Sequence, residues 1–411
     1  MDFRSLRLHR RLWLHFLRLS TILRSVIVVS TCHLCAFEGL SFLPSYEALH
    51  RVTSDCKPWP PGGQLGVCPR CGGAQAIIST RWQEEADNIY GRYTIYHQGN
   101  GVDQAVFDAE TGTAIRRSSR LLRRLKEELP LPSRGRLLDV GCGTGATLRA
   151  FSETSSGWSL AGFDINDRCN TVVKSIPGVE ALYTGTIEEV PGQFDVLTLI
   201  HSLEHIAEPV KFLAELRKKL GTGGMLVVQV PDCWRNPFMF LVADHATHFF
   251  LSTLRDVVIA AGYDVVVAAD DWIAKELTVV ARRSAQESPS RLRANTSDNL
   301  AAVRSRIEWV AAFGEQIRAL AAQHAVGILG TSIAGTWVQE ELRGAAAFFV
   351  DEDPSRFGRT FMGRQILPPK DVPAGSWVIV ALPTPMAEEV RTRLVQVAPK
   401  ANWLVPLSLP E

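Results

Sequence analysis

The chain has 411 residues, 46% of them hydrophobic, and 44 basic side chains against 43 acidic ones give a formal charge of +1. That length implies two to four domains with sizeable cores. The balanced charge gives no general basis for a polyanion partner. Eight cysteines, four of them in two C-x-x-C pairs, argue against a secreted disulfide framework and for a reducing, cytoplasmic setting.

Residues 1–30 read as a basic N-terminal arm, with Arg4, Arg7, Arg10, Arg11 and Arg18 among large apolar residues and Asp2 as the only acid in the first twenty. One reading is a cationic amphipathic helix at a membrane surface or a targeting presequence; the other is an upstream translation start or a disordered arm. Arginines interrupt every run short of the ~18–20 apolar residues of a spanning helix, so no transmembrane segment is expected.

Residues 31–75 carry Cys32-His-Leu-Cys35 and, after a loop with Pro58, Pro60, Pro61, Gly62 and Gly63, Cys68-Pro-Arg-Cys71-Gly-Gly73. Two such knuckles close a tetrahedral, structural Zn²⁺ site through Cys32, Cys35, Cys68 and Cys71. Free thiols or a redox pair are the alternative. Residues 76–132 form a helical bridge. Tyr90, Tyr93 and Tyr96 fall three apart, which means either packing on one helix face or a lid that carries polar tips into a site. A helix is expected over 114–128, before the boundary set by Pro130 and Pro132.

The stretch Leu137-Leu-Asp-Val-Gly-Cys-Gly-Thr-Gly145 is an apolar strand that breaks into a glycine turn and then a helix. Such a turn lets a ligand approach main-chain N–H groups. Asp164, one strand–helix–strand unit later, is spaced to accept from both hydroxyls of a ribose. Strands are expected at 137–140, 160–164, 181–183, 194–200, 225–230, 263–268 and 277–281, with helices at 147–153, 167–174, 209–219 and 252–261. The alternation predicts a doubly wound, mostly parallel seven-stranded Rossmann-like sheet over 133–283 that ends in an antiparallel hairpin. After a linker and helix (284–323), residues 324–411 repeat strand, glycine turn, helix and strand as a Rossmann-like α/β module. That module is either a nucleotide site or a packing or homodimer module.

Four segments in order resemble the class I S-adenosylmethionine-dependent methyltransferases: 137–145, Gly162-Phe-Asp164, Phe194-Asp-Val-Leu-Thr-Leu-Ile-His-Ser-Leu-Glu-His205 and Gly223-Gly-Met-Leu-Val-Val-Gln-Val-Pro231. With the cysteine knuckles before them, and Ala325-Val-Gly-Ile-Leu-Gly-Thr-Ser-Ile-Ala-Gly335 and Val350-Asp-Glu-Asp-Pro-Ser-Arg-Phe-Gly-Arg359 after them, the chain resembles three-part sugar C-methyltransferases, which methylate a carbon beside a ketone on a nucleotide-linked deoxysugar. The C-terminal module departs from that pattern at Gly330-Thr-Ser-Ile-Ala-Gly335 and in Asp353-Pro-Ser-Arg-Phe-Gly-Arg-Thr-Phe-Met-Gly363, which has arginine in place of lysine and methionine in place of proline, so its ligand is open.

The resemblance implies S-adenosyl-L-methionine as cofactor. Gly141, Gly143 and Gly145 would line its methionine part, with Asp139 near the amino group. Asp164 would hold the ribose, Phe163 or Ile165 would lie against the adenine, and Thr186 and Ile187 would close over it. His201 to His205 follow the fourth strand, where methyl group and acceptor meet. Chemistry at a carbon beside a ketone needs a base and an enolate donor. His205 is the candidate base, oriented by Glu204, unless it only caps the next helix. His248 or His245 forms a second cluster, unless it is packing. Tyr96, with Tyr93, is the candidate donor. The partner expected is a nucleotide-sugar or another small molecule. An RNA-directed enzyme and a non-catalytic cofactor-binding scaffold are the alternatives, and the neutral charge argues against nucleic acid.

Overall fold

The computed structural model describes residues 30–93, 103, 105–108, 113–285, 292 and 298–409. Backbone contacts divide the described residues into two compact units, one of those within 30–40, 106–230 and 251–292, the other of those within 41–105, 231–250 and 298–409.

The first unit is built on seven strands: β1 (Gly135–Val140), β2 (Trp158–Phe163), β3 (Val179–Tyr183), β4 (Phe194–Ile200), β5 (Leu220–Pro231), β6 (Tyr263–Ala269) and β7 (Glu276–Arg283). Their order is 3-2-1-4-5-7-6. Strands β1 to β4 pair in parallel, as does β4 with β5, while β6 and β7 form an antiparallel hairpin. β1 and β4 are apolar on both faces, with Leu137, Leu138, Leu197 and Leu199 fully buried, which suits a parallel sheet covered on both sides. Its cover includes α1 (Arg117–Glu128), through Leu121, Leu122 and Leu125, and α2 (Ala146–Thr154), through Leu148 and Phe151. The chain continues through α3 (Asn170–Lys174), α4 (Pro209–Leu216) and α5 (Leu251–Ala260).

The seven strands and the closing hairpin match the sequence expectation, with several boundaries shifted by two to five residues, two of them for a visible reason. The helix expected from 114 begins at Arg117, because Thr113–Arg116, with threonine and isoleucine in alternation, pairs with Ala105–Asp108 as a two-stranded ribbon. β5 begins at Leu220 rather than 225. Its glycine-rich start is accommodated by positive φ at Gly223 and a register shift against β4.

Besides a two-stranded ribbon of Arg51–Val52 with Pro58–Trp59, the second unit holds two sheets. The smaller orders Ser41–Phe42, Leu65–Val67, Ala74–Ala76 and Thr247–His248, all antiparallel. Its fourth strand therefore arrives from far along the chain, which places 231–250 with this unit although sequence alternation assigns it to the central domain. The larger sheet contains β8 (Val326–Leu329), β9 (Phe349–Val350), β10 (Thr360–Phe361), β11 (Arg364–Leu367), β12 (Trp377–Val380) and β13 (Asn402–Leu404), in the order 10-11-9-8-12-13. Apart from the β10–β11 hairpin its pairs are parallel. α6 (Asn299–Ala321) precedes this sheet in the chain, and α7 (Ile333–Glu341) and α8 (Met386–Val397) alternate with its strands as an α/β module.

An aromatic cluster ties the segments of this unit together. The Phe238 ring centroid lies 5.4 Å from that of Trp309, 5.6 Å from Trp337 and 6.3 Å from Phe313. Phe238 and Phe313 are 1% exposed and Trp337 is 0% exposed, so truncating Phe238 leaves a cavity that its ring neighbours cannot readily close. Phe238→Ala is expected to cost about 3–5 kcal/mol, read as a lower urea midpoint; an unchanged midpoint would show that the cluster contributes nothing.

Candidate cofactor and acceptor site at the carboxyl edge of the central sheet

Strand order reverses between β1 and β4, and the crevice outside such a reversal is where open α/β sheets take their ligands. Three left-handed glycines leave β1: Gly141 (φ +76°), Gly143 (φ +52°) and Gly145 (φ +81°). A β-carbon on Gly141 would stand 2.6 Å from Ser202 Cβ, and one on Gly145 would stand 2.5 Å from Ile176 Cδ1. Both positions thus need glycine for space as well as for φ. The Gly141 and Cys142 N–H groups donate to Phe163 O at the end of β2, and Gly145 is the N-cap of α2.

Asp164 follows β2. One carboxylate oxygen accepts from Gly143 N–H at 2.8 Å and the other from Ile165 N–H at 2.8 Å, so the group is aimed before any ligand arrives. Burial pushes its carboxyl up against the pull of those amide bonds. Asp139, in β1, is 2% exposed and accepts from Thr198 Oγ1 of β4 at 2.6 Å. Burial raises its carboxyl to about 7, against the hydrogen bonds from Thr198 and Thr147. Ile165 is exposed and Ile187 buried, while Thr186 is half-buried and its N–H donates to Glu189.

The loop after β4 carries the second cluster. His201 has φ +53°, a region that costs a residue with a β-carbon roughly 1–2 kcal/mol, and its N–H donates to Gln229 O at 2.8 Å. Its Nε2 lies 2.7 Å from Glu276 Oε2 and 2.9 Å from Arg117 Nη1. One nitrogen cannot serve both: unprotonated it accepts from Arg117, protonated it donates to Glu276. On the other side of the ring, Nδ1 is 3.5 Å from Glu204 Oε1. Glu204 is 2% exposed, and among the described residues neither of its carboxylate oxygens has a partner better than that outer-limit contact. Burial and Arg117 pull the His201 imidazole down, but Glu276 and Glu204 outweigh them and raise it. Burial likewise works against ionised Glu276, and His201, Arg117 and Lys275 bring its carboxyl below the usual value.

Sequence reasoning singled out His201, Glu204 and His205 but not Arg117 or Glu276. The only signal for Glu276 is a charged pair, Lys275-Glu276, that opens an apolar strand. His205 is half-buried on the same loop as Glu204. Tyr96 lies outside the described residues, as do residues 1–29. His248 is placed in the second unit, on the short strand that pairs with Ala74; it is 2% exposed, with its ring 5.2 Å from that of Phe240. Tyr93 belongs to that unit too. Ser54 Oγ lies 3.3 Å from its hydroxyl and donates to Asp244 at 2.5 Å, and burial together with the Asp244 charge pushes the Tyr93 hydroxyl up.

The two cysteine knuckles share one backbone design. Ala36 N–H donates to Cys32 O and Cys32 N–H to Phe37 O; Gly72 N–H donates to Cys68 O and Cys68 N–H to Gly73 O. The residue after each second cysteine is left-handed, Ala36 at φ +57° and Gly72 at φ +70°. Each knuckle presents a thiol pair, Cys32 with Cys35 and Cys68 with Cys71, and thiolates are donors that suit Zn²⁺.

The family model described as a methyltransferase domain matches residues 114–268. That stretch is a methyltransferase domain. A ubiquinone biosynthesis O-methyltransferase of Pseudomonas paraeruginosa is 30% identical over 126 residues, covering 29% of this chain and 53% of that protein. One of Marinobacter nauticus is 33% identical over 129 residues, covering 29% and 52%. The chain thus spans about half the length of the curated relatives it matches. Among solved structures, an S-adenosylmethionine-dependent methyltransferase of Mesorhizobium loti covers 40% of this chain and 98% of its own at 15% identity, with a TM-score of 0.35. Among the described residues, no helix is long and apolar enough to cross a membrane.

The methyltransferase domain's own residues suit S-adenosylmethionine. The glycine turn admits close backbone approach, and Asp164, pre-aimed by two amides, suits a pair of hydroxyls. The His201 cluster adds a pH signature. Stability from the raised His201 is full below about 6.5 and is lost as pH rises through the raised value; that from the lowered Glu276 is full above about 4.3 and is lost as pH falls through the lowered one. Their joint contribution is therefore complete between about pH 4.3 and 6.5. Glu276→Gln is expected to lower the His201 pKa in an NMR titration and to reduce stability within that window; an unmoved titration would uncouple the two groups.

Proposed function

We propose that the chain is an S-adenosylmethionine-dependent methyltransferase that acts on a small molecule. The observation that carries the reading is the glycine turn at the strand-order reversal, with Asp164 fixed by Gly143 and Ile165 beside it. When bound, the cofactor supplies an electrophilic methyl carbon without a metal. Asp164 holds the ribose hydroxyls, Ile165 offers an apolar face to the base, and buried Asp139 braces β1 against β4 beneath the turn.

For the acceptor, the reading is a carbon beside a ketone on a nucleotide-linked deoxysugar. It is supported by the order of parts along the chain: cysteine knuckles, methyltransferase domain, Rossmann-like module. His205 takes the α-proton, Glu204 orients it, and Tyr96 donates to the enolate oxygen. The Zn²⁺ held by the four cysteines is structural, and a reducing cytoplasm keeps those thiols available. O-methylation of another small metabolite is the second reading, favoured by the likeness to the two ubiquinone biosynthesis O-methyltransferases.

Asp164→Ala is expected to weaken S-adenosylmethionine binding at least tenfold by calorimetry, and unchanged affinity would remove the cofactor assignment. With methyl-labelled cofactor, label should enter a 4-keto nucleotide sugar. Label only in hydroxylated aromatic acceptors would select the second reading, and label only in RNA would refute both. Cys68→Ser should lower zinc content and thermal stability together; full zinc retention would refute the four-thiolate site.

A further inference from the structure

Away from the central sheet, the second unit holds a half-open cleft of about 260 Å³ lined by its own residues. Its wall comes from five places in the chain: Tyr46, Arg51 with the Gly62–Gly63 loop, the strand end Ala76–Ile77, the start of the helix Thr80–Gly91, and the returning segment that carries His245 and His248. The methyl-transfer reading uses none of its cationic residues.

The charge of the wall is unbalanced. Arg51 is 2% exposed and fully committed, with Nη1 and Nη2 on the two Glu85 oxygens at 2.8 and 3.1 Å and Nε donating to Pro60 O at 3.0 Å. Arg81 also reaches Glu85, through Nε at 3.2 Å. Burial would raise the Glu85 carboxyl, but Arg51 and Arg81 outweigh it and hold the group ionised. Two guanidiniums thus face one carboxylate among the described residues, and Arg81, with 64% of its side chain exposed, carries the unneutralised charge.

Local backbone geometry reinforces this. Gly62 has φ +97°, and a β-carbon there would stand 2.7 Å from Arg81 Nη2, so glycine makes the room that the guanidinium occupies. Ser79 caps the helix by accepting from Trp82 N–H at 3.2 Å, and Ser79, Arg81 and Trp82 all line the cavity. The positive end of a 12-residue helix therefore opens on the same space. The aromatic members have their polar tips committed elsewhere: Tyr46 Oη donates to Phe240 O at 2.7 Å and Trp82 Nε1 to Ala243 O at 3.1 Å. What they leave to a ligand is apolar ring surface.

We propose that this cavity binds a compact anion carried on a flat ring, with Arg81 and the helix N-terminus taking the charge and Tyr46 and Trp82 taking the ring. A space of about 260 Å³ is enough for one ring and its acid group but not for a dinucleotide. The positive balance selects against a divalent cation.

The test uses the full chain in phosphate-free buffer and three probes of one shape: phenyl phosphate, benzoate and uncharged phenol. Calorimetry is expected to show at least tenfold tighter binding of an anionic probe than of phenol, weakening with salt. A preference for phenyl phosphate identifies a phosphate ester as the natural class, and a preference for benzoate a carboxylate. Arg81→Glu should abolish anion binding and Trp82→Leu should weaken all three probes, with S-adenosylmethionine binding kept as a control for the fold and for independence from the methyl-transfer reading. Equal affinity for phenol and the anions, no binding of any probe, or undiminished anion binding in Arg81→Glu would each overturn the proposal.

Discussion

The site depends on one close approach. β1 and β4 lie side by side where strand order reverses, and the turn leaving β1 passes so near the loop leaving β4 that Gly141 has no room for a β-carbon beside Ser202. The same contact line is tied at its core by Asp139 and Thr198 and at its rim by Ser202 Oγ, which donates to Val140 O at 2.9 Å. With those strands fixed, the glycine amides, Asp164 and the His201–Glu204 loop share one edge without further adjustment. Packing thus delivers the geometry, and the charged groups tune it.

That tuning is costly. His201 sits in a left-handed conformation between two carboxylates and a guanidinium, and Glu204 is buried with little to satisfy it. Strain and incomplete satisfaction gathered on one loop are what a binding edge shows and a purely structural loop avoids.

Much of this was legible in the sequence because it is local. Glycine spacing, Asp164 and the apolar runs lie within short stretches, so strand and helix periodicity located all seven strands of the central sheet. The two cysteine pairs were legible for the same reason, and their knuckles repeat one hydrogen-bond pattern. What was not legible is long-range. Arg117 and Glu276 reach His201 from far away in sequence, and no local pattern announces either. The segment 231–250 continues the central domain in sequence, yet Thr247–His248 completes another sheet, because its register with Gln75 and Ala74 is a tertiary matter. Arg51 likewise looks like a surface residue until Glu85 and Pro60 enclose it.

The interleaving of segments has a consequence for how the chain is made. Thr336 donates to Cys56 O across 280 residues of sequence, and the aromatic cluster that begins at Phe238 is complete only with Trp337. A nascent chain emerging from its N-terminus must therefore hold residues 41–105 unfinished while the whole methyltransferase domain is synthesised. Such high contact order slows folding and leaves apolar surface uncovered in the interval.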